Sequence, residues 1–236
     1  MWDGADPDVI VDAYRHTQSK ANVENANFGN KTPLSPKGER QVPYIFKDMK
    51  KRRIELIVCS HADRAYGPVV SNAHVHGLPI APHEFFNEFR RPEGTIGKSN
   101  DDPRVKEILK RRIEEFGTAH ESLDGAETFA ETILVMMSGL EELRQTAIAH
   151  GKKRLGLLSH GLRLRQIEAW ILSEGDWDKF AGLFKALYRV GGFANGAHKQ
   201  FWFGYPFRES PKYKENAEKC WNIELASDSH IPLKLR

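Results

Sequence analysis

The sequence predicts an α/β fold with a mostly parallel central sheet, and three observations predict it. Short apolar runs of strand length alternate with longer stretches of helical period. Capping residues and prolines mark where helices begin after the intervening loops. The first strand, loop, helix and second strand follow one another as a crossover unit does, and such a unit joins parallel strands.

The first run, Val9 to Tyr14, follows Pro7 and ends on Arg15-His16, so it reads as a buried strand that delivers this pair to a loop. From Asn22 to Pro33 the chain is rich in Asn, Gly and Lys, which are loop residues. Ser35 then serves as an N-cap and Pro36 as a first helical residue, with Gly38 a weak spot inside a helix that runs to about Lys51. Ile54 to Cys59 is the second strand, and Ser60 to Ala65 lies at its carboxyl end. Pro79 to Phe86 is a weaker third strand that exits through the polar loop Asn87 to Gly94. Helical spacing covers Asp102 to Phe116 and Ala126 to His150, with Pro103 at the start of the first and Gly117 past its end. Arg154 to Ser159 is a compact strand that ends on His160-Gly161. Helices follow over Leu162 to Leu172 and Trp177 to Tyr188, and later strands over Gln200 to Gly204 and, at an edge, Trp221 to Leu225.

Composition narrows the class. Hydrophobic residues make up 40% and charged residues 28%, ordinary values for a soluble globular protein of 236 residues. The net charge of +3 is too small to argue for nucleic acid as a partner. The run Lys47 to Arg53 could bind polyanions, but its place at a helix end suggests cations set against the helix dipole. Cys59 and Cys220 form no disulfide framework or zinc spacing, and Cys59 reads as a small core hydrophobe. The N-terminus lacks the regions of a secretion signal and no apolar run reaches membrane-span length, so a cytoplasmic protein with no membrane partner is expected. His74, His76 and His83 lack the companion ligands of a metal site, and no metal is expected. Oligomeric state leaves no trace.

Ligands of open parallel sheets bind outside the strands' carboxyl ends. Arg15-His16, Arg64, Glu88 and His160 all fall there, supplying two fixed cations, two imidazoles and a carboxyl group. That set suits phosphoryl transfer through a covalent histidine intermediate.

The same residues resemble the histidine phosphatase superfamily, the phosphoglycerate mutase-like family. Arg15-His16-Thr17-Gln18-Ser19-Lys20-Ala21-Asn22 is similar to its opening motif, with Thr17 where the family has glycine. Leu34 to Gln41, Cys59 to Ala65 and Leu158 to Gly161 are similar to its following blocks, in order, over roughly Val9 to Leu172. The resemblance implies a three-layer α/β/α sandwich, phosphoglycerate mutase-like; the length suggests a single domain over 1–236, and the position of the helices after Glu88 suggests a lid-like insertion at about 90–125. It implies that His16 attacks phosphorus, that Arg15, Arg64 and Asn22 hold the phosphoryl oxygens, and that His160 adds a donor. It also implies chemistry without a metal or other cofactor on a small phosphorylated substrate. Glu88, before Arg90-Arg91-Pro92, looks like the proton donor; Glu84 and Glu93 compete for that role. Arg90 and Arg91 either line the pocket mouth and favour an additional anionic group or are exposed loop arginines. A phosphatase is the leading reading because no segment resembles the long substrate-closing motif of the mutases. A mutase and a non-catalytic phospho-ligand binding module are the alternatives.

Overall fold

The computed structural model describes residues 8–26, 29–118, 124–191 and 193–203 in full and 223–229 in backbone. In chain order the elements are β1 (Val9–Arg15), α1 (Lys20–Val23), α2 (Pro36–Lys51), β2 (Leu56–Cys59), α3 (Asp63–His76), β3 (Ile80–Pro82), α4 (Pro103–Glu115), α5 (Phe129–Ala149), β4 (Arg154–Ser159), α6 (Gly161–Leu172), α7 (Trp177–Val190), β5 (His198–Phe203) and β6 (Ile223–Ser229). The strands form one sheet in the order β3-β2-β4-β1-β5-β6. The first four are mutually parallel, and β5 runs antiparallel to both β1 and β6.

Side chains of a strand alternate between its faces, and here the alternation divides the core in two. Val9, Val11 and Ala13 of β1, Leu56 and Val58 of β2, and Leu155 and Leu157 of β4 pack with α4 to α7. Tyr14, Ile57, Cys59 and Leu158 point the other way, against α2 and α3. The result is a three-layer α/β/α sandwich. In the larger layer Phe89, Phe116, Phe129, Phe180 and Phe184 meet mostly edge-on, with ring centroids 4.7 to 6.3 Å apart. Each such buried ring contributes about 1.5–3 kcal/mol. Phe86 and Phe89, which flank the Asn87-Glu88 loop, are both 1% exposed, so the loop is pinned to the core from both sides.

Several boundaries differ from the sequence reading. β2 starts at Leu56 because Arg53 takes a left-handed φ of 58° and the Glu55 carboxylate turns to accept the Lys153 and Arg154 amides. The third strand stops at Pro82; the chain then forms a 3₁₀ turn over Glu84–Phe86. The stretch after Asn22 is not all loop, since α1 extends to Val23 behind the Ser19 N-cap. β5 begins at His198, and the last strand runs Ile223–Ser229 at the sheet edge; Gly204 and Trp221 lie outside the described residues.

Gly38 is no weak spot. A Cβ there would lie 1.8 Å from the Gln18 carbonyl oxygen, so only glycine lets α2 approach the loop after His16 this closely. Ser35 completes the joint: its amide donates to Gln18 O at 3.0 Å while its hydroxyl caps Gly38 N. Within the basic run at the end of α2, Arg52 is tied into the fold, paired to Asp48 and to the buried Asp12, while Lys47, Lys50, Lys51 and Arg53 are exposed. Asp12 also accepts from His198 and Gln200, tying β1 to β5. Cys59 is fully buried, and burial pushes its thiol up to about 12.

Candidate active site

β1, β4 and β2 are parallel neighbours, so their carboxyl ends stand in a row. In register Arg15 faces Ser159, and the next residues on each strand are His16 and His160. Their imidazole rings meet edge-on with centroids 5.1 Å apart. The His16 amide donates to Ser159 O at 2.9 Å, which fixes the residue's exit from the strand.

Hydrogen bonds define the tautomer of each histidine. His16 Nδ1 lies 2.6 Å from the Thr17 carbonyl oxygen, which can only accept, so Nδ1 carries the proton and Nε2 the lone pair. Arg64 Nε donates to that Nε2 at 3.2 Å. Burial first, then the Arg15 and Arg64 charges, hold His16 well below the ordinary imidazole range, so it is neutral at physiological pH. Thr17, the departure from the family motif, does not have a left-handed φ, and its carbonyl is as available as a glycine's. Its hydroxyl is buried without a partner among the described residues.

His160 is the opposite tautomer. The His61 amide donates to Asn87 Oδ1, which identifies that atom as oxygen. Ser60 Oγ then gives its only proton to Asn87 Oδ1 at 2.8 Å and accepts from the Ala62 amide. The remaining contact, His160 Nε2 to Ser60 Oγ at 2.7 Å, must therefore be donated by the histidine. The Nδ1 lone pair is buried without a partner among the described residues. His160 too is held well below the ordinary range, by burial and then by Arg64.

The arginines are placed by backbone carbonyls. Arg15 Nη1 donates to Phe193 O, and its Nε–H is buried without a partner among the described residues. Gly161 leaves room for this guanidinium, since a Cβ there would come within 3.3 Å of it. Arg64, in the first turn of α3, also donates to Gly29 O at 2.8 Å. Asn22 Oδ1 accepts from the Ser19 amide and hydroxyl and from Asn195, which leaves its amide nitrogen as the group able to donate outward.

Arg15, His16, Asn22, Arg64 and Glu88 line one cavity of about 430 Å³. Glu88 Oε1 accepts from the Phe89 and Arg163 amides at 3.0 and 3.2 Å. Glu84 and Glu93 do not line this cavity. Glu84 lines a second cavity of about 450 Å³ that also contains Glu88. Arg90 is exposed and bound to both carboxylate oxygens of Glu131, whereas Arg91 lines both cavities.

Several supporting residues escaped the sequence reading. Asn87 and Ser60 orient His160. Arg163, 2% exposed, forms a bidentate pair with Glu127 and donates to Asn87 O, holding the glutamate loop. The Phe193–Ala197 loop supplies carbonyls to Arg15. The signal that could have found this loop is its turn-rich composition just before a strand. Among the described residues no group of three or more His, Cys, Asp or Glu side chains is arranged to hold a metal ion, and no helix is long and apolar enough to cross a membrane. His83 lies 3.6 Å from Glu142 and stacks on Phe85, while His76 stacks on Phe46.

The model of the histidine phosphatase superfamily (branch 1) matches residues 13–190. Among solved structures the chain is similar to Bacillus stearothermophilus YhfR, at 16% identity and a TM-score of 0.70 over 94% of this chain and 98% of that one. It is also similar to a mycobacterial glucosyl-3-phosphoglycerate phosphatase in complex with VO3, at 19% identity and 0.66 over 92% and 98%. The alpha-ribazole phosphatase of Shigella flexneri gives 15% and 0.64 over 84% and 92%. At these identities the likeness shows the fold. Among curated proteins none matches the chain significantly in sequence.

Proposed function

The chain belongs to the histidine phosphatase superfamily, and on that premise we propose that it is a phosphatase that hydrolyses a small phosphomonoester through a phosphohistidine on His16. The observation that carries this reading is the His16 tautomer. Nδ1–H is committed to the Thr17 carbonyl, so the nucleophilic lone pair sits on Nε2, beside Arg64 and in a cavity that Arg15 also lines. Two solved structures with the same fold are of phosphatases by name, which supports the class of reaction.

The steps follow from the groups present. Arg15, Arg64 and the Asn22 amide take the phosphoryl oxygens, and a guanidinium fork matches them while staying charged. His16 Nε2 attacks phosphorus as the bond to the leaving oxygen breaks, and that oxygen takes a proton from the Glu88 carboxyl. Because Glu88 Oε1 is held by two amides, the proton travels on Oε2. The phosphorylated imidazole is cationic and still donates Nδ1–H to Thr17 O, which stabilises it. Glu88, now a carboxylate, removes a proton from water; the water oxygen attacks phosphorus, the P–N bond breaks, and His16 recovers its lone pair. Preorganised donors of this kind are worth about 3 kcal/mol each, or about a hundredfold in rate.

The arginines supply the positive charge that a metal ion supplies in other phosphoryl-transfer sites, so the reaction is read as metal-independent. It is read as cytoplasmic and as acting on a small molecule rather than on nucleic acid or a membrane. The segment at about 90–125 is read as a cap on a single domain: Arg91 and Ile96 wall the second cavity, and Ser99 bridges to Ala26 in the loop after His16.

The test is hydrolysis of 4-nitrophenyl phosphate with acid-labile phosphoryl labelling of the protein. His16→Ala should abolish both, and Glu88→Ala should slow turnover by about a hundredfold. Unchanged activity in His16→Ala would overturn the mechanism, and transfer to a phosphorylated acceptor in place of water would make the enzyme a mutase.

A further inference from the structure

The two cavities meet at Glu88. The first contains His16; the second is walled by Phe85, Phe89, Ile96 and Val135, and the two share Gly29, Arg64, Glu88 and Arg91. If Glu88 protonates the leaving oxygen, as read above, that oxygen lies beside Glu88 and the rest of the leaving group extends into the second cavity. The inference below rests on that phosphatase reading.

The basic residues of the second cavity differ in how their charge is used. Arg90 spends Nη2 on both Glu131 oxygens, at 3.1 and 3.0 Å, and Nε on Gly125 O. Arg163 is paired bidentately with Glu127. Arg91 is half-buried, and among the described residues its one side-chain hydrogen bond is to a neutral group, Asn100 Oδ1, at 2.7 Å. Asn100 is itself held by the backbone and side chain of Asn25, so Nη1 of Arg91 is anchored and the rest of its fork is left over. Burial first, and then the charge of Arg91, lowers the Arg64 guanidinium from its ordinary range.

Charge counting points the same way. When Glu88 carries the proton it will donate, the charged groups of the first cavity are Arg15, Arg64 and Arg91. A phosphomonoester dianion satisfies two guanidinium groups, and the third, on the leaving-group side, remains without a counter-charge. Glu84 is exposed and lines only the second cavity, so it directs an anion away from itself and toward the wall shared with the first.

We propose that Arg91 selects phosphomonoesters whose leaving group bears a second anionic group, a carboxylate or another phosphate, received by the free edge of its guanidinium. An apolar wall beside one unneutralised cation suits a short leaving group with a carbon body and an anionic end.

The experiment compares kcat/KM for matched substrates. One pair is 3-phosphoglycerate against glycerol 3-phosphate, which differ by a carboxylate. The other is fructose 1,6-bisphosphate against fructose 6-phosphate, which differ by a phosphate. Wild type should prefer the member with the extra anion in one pair or both by about tenfold or more, and the pair that shows it identifies the group. Arg91→Gln should remove the preference through KM, Arg91→Lys should keep part of it, and Arg90→Gln should leave it intact. Should Arg91→Gln fail to fold, the wild-type preference must still weaken as sodium chloride is raised. Equal kcat/KM within both pairs, or a preference that survives Arg91→Gln, would overturn the inference and leave the phosphatase reading standing. Hydrolysis of none of the esters, 4-nitrophenyl phosphate included, would overturn the phosphatase reading itself.

Discussion

Acidification from pH 7.0 to 5.5 should cost this fold up to about 2–3 kcal/mol through two imidazoles alone. His16 and His160 are 3% and 0% exposed, and burial followed by nearby guanidinium charge holds both well below the ordinary range. In the unfolded chain each titrates near about 6.5. Between that value and the depressed folded value the unfolded state binds more protons, so the stability is full above about 6.5 and falls as pH drops below it. Protonation lowers the unfolded state by RT ln(1 + 10^(6.5 − pH)), a little over about 1 kcal/mol more per histidine at pH 5.5 than at pH 7.0, and the fold loses that much where its buried imidazoles stay neutral. Carboxylates contribute little in this window, because unfolded Asp and Glu titrate near about 4. The assay is urea unfolding at the two pH values, read as a shift in midpoint at constant m. The His16→Gln, His160→Gln double variant should lose this part of the pH dependence, up to about 2–3 kcal/mol, relative to wild type. If the double variant weakens on acidification as much as wild type, the buried histidines are not its source.

Gly38→Ala tests the joint between α2 and the His16 loop. Alanine normally favours a helix by about 1 kcal/mol, but here its Cβ falls 1.8 Å from Gln18 O, so the loop must move. Overpacking of this kind costs about 1–3 kcal/mol, and a displacement of about 1 Å at a reacting group costs about a hundredfold in rate. The variant should show a lower Tm and a lower kcat on 4-nitrophenyl phosphate; a more stable, equally active protein would refute the close approach. Asn87→Ala tests the chain to His160. Without Asn87 Oδ1 the Ser60 hydroxyl can turn its proton toward His160, and nitrogen NMR should then show loss of the pure Nε2–H form. Retention of that form would mean that another group directs Ser60.

Legibility in the sequence followed how local the determinant was. β4 runs Arg154–Ser159 as read, because its apolar run is bounded on both sides. α2 begins at Pro36 because a serine cap and a proline declare it within two residues. The third strand is shorter than the Pro79 to Phe86 that its apolar residues suggest: the ladder to β2 ends where the His83 amide donates to the Cys59 carbonyl, and the chain then winds into the 3₁₀ turn over Glu84–Phe86. Arg15, His16, Asn22, Arg64 and Glu88, which line one cavity, are legible as candidates because each is carried in a short segment after a strand, whereas Leu162 and Tyr188, which line it too, carry no such signal. The supports of those candidates were not legible. The carbonyl that holds Arg15 belongs to Phe193, 178 residues on, and the amide that caps Glu88 belongs to Arg163, 75 residues on. A backbone carbonyl or amide can come from almost any residue type, so its identity leaves no mark in composition or spacing. Arg163 and Glu127 do carry a mark, since each is a charge inside a buried stretch.

The electrostatics of the site demand more of its two histidines than a motif can state. Low dielectric and two guanidinium groups keep His16 neutral, as its proposed role of nucleophile requires. The same surroundings keep His160 neutral, and its Nε2–H is already given to Ser60. A neutral His160 therefore turns a lone pair, not a proton, toward any phosphoryl oxygen that meets Nδ1. Such an oxygen would be repelled unless Nδ1 takes up a proton. The negative charge of the phosphoryl group reverses the influence of Arg64 and favours that uptake. The dianion also competes with His16 Nε2 for the Arg64 Nε–H, so binding frees the attacking lone pair and loads the second imidazole together. Ligand binding on these terms is coupled to proton uptake, and inorganic phosphate or vanadate should bind more tightly as pH is lowered toward 6. Calorimetric titration in buffers of different ionisation enthalpy measures that proton directly.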